Sequence, residues 1–97
     1  MNLNPSSLCP DLAQALRDGA LLVDVRSRAE CVGGMLAGAI NLPLDELPAA
    51  VDQLQFDKTL LLYCRSGQRS EMARRYLTEL GHPDCWNIGS YESFRGC

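Results

Sequence analysis

The chain has 97 residues, of which 46% are hydrophobic and 22% charged, and its formal net charge at pH 7 is -3. This composition excludes a disordered chain, and the length predicts one domain over residues 1–97, since a chain of this size can bury about 60–68% of its unfolded surface. The acidic balance argues against a nucleic acid as the partner, and no apolar run approaches the length that spans a membrane.

The spacing of the cysteines predicts neither a zinc site nor a redox-active dithiol. The five are Cys9, Cys31, Cys64, Cys85 and Cys97. No pair has the close spacing of a zinc site or a thioredoxin-type dithiol. We interpret Cys9, Cys31 and Cys85 as reduced packing residues, and Cys97 as an exposed thiol open to pairing between molecules. The first residues lack the pattern of a signal peptide, which favours a cytoplasmic location.

The first half of the chain alternates helices and strands. A helix is predicted to begin at Pro10 and to end just before Gly19, and residues 20–25 predict an apolar strand typical of one buried on both faces. Ser27 and Glu30 have capping-box spacing and predict a short helix. Residues 39–42 predict a short strand that ends at Pro43, and residues 45–54 predict a helix.

The second half repeats this alternation. Residues 59–63 predict a second buried strand with Cys64 at its carboxyl end, and a helix follows from residue 69 or 70 to residue 80. A last strand at 85–88 and a short helix at 91–95 end the chain. We expect the apolar side chains of the long helix, and the aromatic ring on the last strand, to lie in the core: Met72, Ala73, Tyr76, Leu77, Leu80 and Trp86. This order predicts a three-layer α/β domain around a mostly parallel sheet, where ligands bind at the carboxyl ends of the strands.

The loop after Tyr63 offers unusual chemistry to a thiol. Arg65 and Arg69 follow Cys64 closely, and Gly67 allows backbone angles that turn successive N–H groups inward. The loop leads into a helix N-terminus, which favours negative charge. Together these features favour a Cys64 thiolate with a pKa below the free value of about 8.5, and an anionic substrate beside it.

No histidine is placed to assist this cysteine. The single histidine, His82, follows the far end of the long helix and is interpreted as a turn residue. The mechanism therefore depends on a thiolate that the loop itself ionises, without a general base. Asp24 and Arg26, at the end of the first buried strand, form either the rim of the pocket or a structural ion pair.

Several short motifs along the chain resemble those of a known family. The motifs, in order, are Asp24-Val25-Arg26, Glu30, Gly38-Ala39-Ile40-Asn41-Leu42-Pro43, the run from Tyr63 to Ser70, Leu80-Gly81, and an ending that starts at Gly89. Their order and spacing are similar to those of single-domain rhodaneses. The departures, at Cys31 and Met35, lie at positions that look structural.

The resemblance implies the rhodanese fold and the transfer of a sulfane sulfur. Cys64 would attack a small anionic donor such as thiosulfate, hold the sulfur as a persulfide, and pass it to cyanide or a thiol, including a protein thiol. The implied substrate-binding residues are Arg65, Ser66, Gly67, Gln68, Arg69 and Ser70. No cofactor or metal is implied, and a monomer is the default for so small a domain.

Other functions remain open on the same fold. Phosphatases and arsenate reductases that resemble this chain carry one more residue in the loop, whereas four residues separate Cys64 from Arg69 here. A binding module without catalysis commonly lacks the cysteine, which this chain keeps. A persulfide carrier that serves one pathway has the same sequence features as the transferase.

Overall fold

The computed structural model describes residues 8–54, 56–95 and 97. Its helices are α1 (Leu8–Arg17), α2 (Arg28–Val32), α3 (Leu47–Ala50), α4 (Gln68–Glu79) and α5 (Tyr91–Phe94). Its strands are β1 (Leu21–Asp24), β2 (Ile40–Asn41), β3 (Leu60–Cys64) and β4 (Cys85–Ser90). Within the described residues, no helix is long and apolar enough to cross a membrane.

The strands form a parallel sheet in the order β2-β1-β3-β4. This confirms the predicted α/β fold, and the two most apolar strands are the central pair, as a strand covered on both faces requires. Every residue of β3 is buried. The register between β3 and β4 shifts at one point, where Leu62 pairs with Asn87 but Tyr63 pairs with Gly89, so that Ile88 is an extra residue in β4.

The core has two parts, one on each face of the sheet. Alternate residues of a strand point to opposite faces, which divides the apolar residues of β1 and β3 between the two parts. One part contains Val23, Val25, Leu60, Leu62, Cys64, Ala73 and Leu77. The other contains Leu12, Leu22, Leu36, Leu61, Tyr63 and Phe94. Helix α4 therefore covers the face toward which Cys64 points, and α1 and α5 cover the opposite face.

The helix predicted over residues 45–54 is broken into three short pieces. Two 3-10 turns, Leu44–Glu46 and Val51–Gln53, flank α3. Pro48 explains the first break, because a continuous α-helix would need its missing N–H to bond the carbonyl of Leu44. The N–H of Leu47 bonds that carbonyl instead, which is the 3-10 pattern.

Three side chains that we expected in the core are exposed. Met72 and Leu80 are 61% and 47% exposed, because α4 meets the sheet along a narrow stripe at Ser70, Ala73 and Leu77. Trp86 is 39% exposed because β4 is an edge strand with an uncovered outer side, and its indole N–H donates a hydrogen bond to Asp84.

A disulfide joins Cys9 to Cys97, with 5.4 Å between their Cα atoms. The interpretation of Cys9 as a buried packing thiol, and of Cys97 as a partner for other molecules, is therefore wrong. Helices α1 and α5 pack on the same face of the sheet, where Leu12 and Phe94 share one part of the core. That packing brings Cys9 and Cys97 together.

Candidate active site

Cys64 ends β3 at the carboxyl edge of the sheet, and its side chain is fully buried. Hydrogen-bond donors of the following loop converge on its sulfur. The Gly67 N–H lies 3.0 Å from Sγ, and the Ser70 N–H lies 3.4 Å from it. The Ser70 hydroxyl oxygen is also 3.4 Å from Sγ. The sulfur therefore occupies a cradle of the kind that stabilises an anion.

Gly67 makes this cradle possible through its backbone conformation. Its φ of +93° lies in the left-handed region, and it is the N-cap of α4. A Cβ at this position would approach Gly89 no closer than 3.6 Å, an ordinary contact, so the requirement for glycine comes from φ and not from space. The turn at Gly67 points its N–H at Sγ and starts α4 directly beside the sulfur.

The free cysteines differ in their tendency to ionise. Burial raises the pKa of Cys64, but hydrogen bonds from Ser70, Ser66 and Gly67 outweigh it, and the net pKa is lowered. Burial without such donors raises the pKa of Cys85 to about 11 and also raises that of Cys31. Cys64 is therefore the free cysteine that this environment favours as a thiolate.

Arg69 does not point freely at a substrate. Its guanidinium binds both carboxylate oxygens of Glu30, at 2.6 and 2.9 Å, which ties the start of α4 to α2. The hydrogen bond from Arg69 lowers the pKa of Glu30 to about 2. Glu30 also accepts from the backbone N–H of Ser27, so the predicted capping box is present. The sequence reveals the capping box but not the ion pair, whose partners are 39 residues apart.

The six predicted binding residues differ in how close they come to the sulfur. The backbone or side chain of Gly67 and Ser70 contacts the sulfur directly. The backbone of Ser66 also helps to lower the pKa of Cys64. The side chains of Arg65, Ser66 and Gln68 are exposed at the mouth of the loop, and Arg69 is held by Glu30.

Asn87 is part of the site, although sequence reasoning did not single it out. Its Nδ2 donates to the Gly67 carbonyl at 3.0 Å. Its Oδ1 accepts from the Ser70 hydroxyl at 2.7 Å and from the Gly89 N–H at 3.0 Å. A polar side chain between Trp86 and Ile88 is the one signal in the sequence. Its relevance depends on the register of β4 against β3.

The comparisons with known proteins agree with this geometry. The rhodanese-like domain family matches residues 9–97. This chain is a member of that family. A sulfurtransferase of Allochromatium vinosum is 38% identical over an alignment of 79 positions, which covers 79% of this chain and 74% of that protein. The human thiosulfate:glutathione sulfurtransferase is 33% identical over 106 aligned positions, which cover 93% of this chain and 92% of the human one.

Solved structures support the same assignment. The human single-domain sulfurtransferase superposes with a TM-score of 0.72 at 30% identity, over 88% of this chain and 89% of that one. A rhodanese with anions from E. coli superposes with a TM-score of 0.71 at 28% identity, over 79% of this chain and 93% of that one. These relatives confirm the fold and place the chain among rhodanese-family sulfurtransferases.

In this rhodanese-like chain, Asp24 and Arg26 form a structural ion pair. Asp24 is fully buried and accepts hydrogen bonds of 2.8 to 3.0 Å from the backbone and guanidinium of Arg26. The guanidinium also donates to the Gly34 carbonyl at 2.6 Å and stacks over the Tyr91 ring, 4.3 Å from its centroid. The pair thus braces the turn after β1.

His82 follows the opposite end of α4, as the sequence predicts for a turn residue. Its imidazole is buried, and Nδ1 accepts a hydrogen bond from the Asp84 N–H at 3.1 Å. His82 therefore supports the turn into β4.

Proposed function

We propose that this protein takes a sulfane sulfur from thiosulfate, or from a similar anionic donor, onto Cys64 as a persulfide and transfers it to a thiol or cyanide acceptor. The observation that carries the proposal is the cradle around Cys64: a fully buried sulfur with the N–H groups of Gly67 and Ser70 within 3.4 Å. The lowered pKa of Cys64 supports its role as a nucleophile near neutral pH.

The reaction balances without an external oxidant. The Cys64 thiolate attacks the outer sulfur of thiosulfate and forms a new S–S bond, while the bond to the sulfite sulfur breaks and sulfite leaves with the electron pair. An acceptor thiolate, or cyanide, then attacks the outer sulfur of the persulfide. The S–S bond to Cys64 breaks, the Cys64 thiolate is restored, and the acceptor leaves as a persulfide or as thiocyanate.

The loop residues stabilise the negative sulfur at each stage. The N–H groups of Gly67 and Ser70 hold the thiolate and remain close to the persulfide that replaces it. Arg65, exposed at the mouth of the loop, is placed to attract an anionic donor. The charge of Arg69 is largely offset by Glu30, so we assign Arg69 mainly to the shape of the loop and less to the binding of the donor.

The size of the cradle supports sulfur as the cargo over phosphate or arsenate. Hydrogen bonds from Gly67 in the loop and from Ser70 in the first turn of α4 reach the single sulfur of Cys64. Asn87 holds the Gly67 carbonyl, which keeps the loop closed over that atom. A tetrahedral oxyanion needs a wider ring of donors around four oxygens, and the short segment between Cys64 and Arg69 favours the smaller cargo.

The test is sulfur uptake measured by mass. The protein is incubated with thiosulfate, and intact mass spectrometry compares it with Cys64→Ser and with the matched control Cys85→Ser. Trypsin releases residues 59–65, a peptide in which Cys64 is the single cysteine. We expect a gain of one sulfur atom in this peptide, reversed by cyanide, in the unmodified protein and in the control.

Sulfur uptake by Cys64→Ser equal to that of the unmodified protein would refute the proposal. Turnover of a phosphoester by a protein that takes up no sulfur from thiosulfate would favour the phosphatase alternative instead.

A further inference from the structure

The Ser70 hydroxyl lies between two acceptors and has one hydrogen to donate. Its oxygen is 2.7 Å from Asn87 Oδ1 and 3.4 Å from Cys64 Sγ. A hydroxyl donates a single hydrogen bond, so it serves one of these acceptors at a time. The shorter distance places the hydrogen on the Asn87 side when the sulfur is neutral.

The orientation of the Asn87 amide is determined by its other partners. The Gly67 carbonyl can only accept a hydrogen bond, and the Gly89 N–H can only donate one. The first therefore requires Nδ2 on its side, and the second requires Oδ1. This arrangement leaves the carbonyl oxygen of the amide facing Ser70.

We propose that Asn87 is a positioning residue that holds the Ser70 hydroxyl hydrogen away from Cys64 while the sulfur is neutral and yields it when the sulfur becomes an anion. In the neutral state, the Ser70 oxygen accepts from the Cys64 thiol and donates to Asn87. In the thiolate and persulfide states, the hydroxyl rotates about its C–O bond and donates to the sulfur. No bond between heavy atoms changes. The catalytic purpose of this arrangement rests on the proposed function, but the experiment below does not depend on it.

The competition has a consequence for reactivity. A thiolate that is stabilised too strongly attacks less well, because its nucleophilicity falls with its basicity. By competing for the Ser70 hydroxyl, Asn87 limits the stabilisation of the Cys64 thiolate that comes from this donor. The N–H groups of Gly67 and Ser70 still contribute their part, since no side chain competes for them in the described structure.

The bulge in β4 directly follows Asn87, whose Oδ1 accepts from the Gly89 N–H beyond it at 3.0 Å. Asn87 pairs with Leu62 and Gly89 pairs with Tyr63, so the extra residue Ile88 changes the direction of the strand just after Asn87. The amide then reaches the Gly67 turn and the first turn of α4 together.

The charged groups around Cys64 do not titrate in the range that matters. On α4, Glu71 pairs with Arg74 and touches Asn87, and on α2, Glu30 pairs with Arg69. Both glutamates have a pKa of about 2 because of their arginine partners. At the end of β1, Asp24 pairs with Arg26, and burial raises the pKa of both Tyr63 and Cys31. A titration from about pH 6 to about pH 9, which includes values below the free thiol pKa of about 8.5, therefore reports mainly Cys64.

The test is a double-mutant cycle on the ionisation of Cys64. The rate of alkylation by iodoacetamide is measured against pH in the unmodified protein, Asn87→Ala, Ser70→Ala and the double variant. The reaction is followed in the tryptic peptide of residues 59–65. Asn87→Ala also removes the hydrogen bond to the Gly67 carbonyl, and this loss is the same whether residue 70 is Ser or Ala. The difference between the two effects of Asn87→Ala therefore isolates the contribution of the Ser70 hydroxyl.

We compare the shift in the pH midpoint of alkylation that Asn87→Ala causes when Ser70 is present with the shift that it causes in the Ser70→Ala variant. We expect the first shift to lie below the second, toward lower pH. The expected difference is about half a pH unit, or about threefold in the ionisation constant, as for one weak charge-assisted hydrogen bond. Equal effects in the two backgrounds, or a difference of opposite sign, would overturn the proposal. If the alanine variants do not fold, Asn87→Ser, which also withdraws the amide, enters the same cycle with the same expectation.

The cycle uses no sulfur donor, so its result is independent of sulfur transfer. A flat cycle refutes the role of Asn87, whereas sulfur uptake by Cys64→Ser refutes the proposed function.

Discussion

Reduction of the disulfide between Cys9 and Cys97 is predicted to lower the stability of the folded protein strongly. The two cysteines are 88 positions apart, so the bond closes a loop that includes every strand of the described sheet. Cross-linking such distant residues removes many conformations from the unfolded chain, and on this view most of the stabilisation arises there.

The magnitude follows from the length of that loop. For a separation of 88 residues, the chain-entropy model assigns about 4–5 kcal/mol, and measured bridges usually contribute about 2–4 kcal/mol. A loss of about 3 kcal/mol lowers the Tm of a domain of this size by about 12–24 °C. We expect a shift in that range for Cys9→Ser and for Cys97→Ser, and the same shift when the unmodified protein is reduced.

The assay is thermal unfolding followed by circular dichroism, with and without a reductant. Cys31→Ser is the matched control, because Cys31 is a free cysteine and the variant should respond to reductant as the unmodified protein does. Thiol titration of the unfolded, unreduced protein should detect the three cysteines Cys31, Cys64 and Cys85. Five titratable thiols, together with a Tm that is insensitive to reductant and equal to that of Cys9→Ser, would refute the reasoning.

Two further predictions concern the loop and the thiols. Arg69→Ala should slow persulfide formation from thiosulfate by only about twofold to fivefold, because Glu30 already offsets much of the charge of Arg69. Arg95→Ala, which removes an arginine from an exposed pair with Glu92, is the control. An unchanged rate in Arg69→Ala would leave Arg69 with a structural role alone. At pH 8, a pKa of about 11 leaves Cys85 about one thousandth ionised, so iodoacetamide should label peptide 59–65 well before peptide 76–95; equal labelling would contradict the difference between Cys64 and Cys85.

Local chemistry in the sequence was sufficient to locate the proposed nucleophile. Cys64 follows an apolar run that predicts a buried parallel strand, and such strands present their carboxyl ends to ligands. Gly67 marks the one turn of the loop that requires a left-handed conformation. Ser27 and Glu30 predict a capping box because both partners lie within one helical turn. Each of these inferences depends on residues that are close together in the chain.

The sequence alone did not predict which apolar side chains of the helices and strands are buried in the folded protein. Met72 and Leu80 have helical spacing with Ala73 and Leu77, but the sheet covers too narrow a stripe of α4 to bury them. Trp86 is apolar enough for a core, but its strand is at the edge of the sheet. The burial of a side chain depends on which other element packs against it, and the sequence of a single strand or helix does not carry that information.

The sequence by itself determined the α/β fold, the position of Cys64 and the turn that surrounds its sulfur, because these follow from short-range patterns. Only the tertiary structure decided the long-range partners, both at the site and at the disulfide. The contacts of Glu30 with Arg69, of Asn87 with Ser70 and of Cys9 with Cys97 join residues 39, 17 and 88 positions apart. Such pairs form when a parallel sheet sets the order and register of its strands, and the helices that cover it bring distant residues to the same edge.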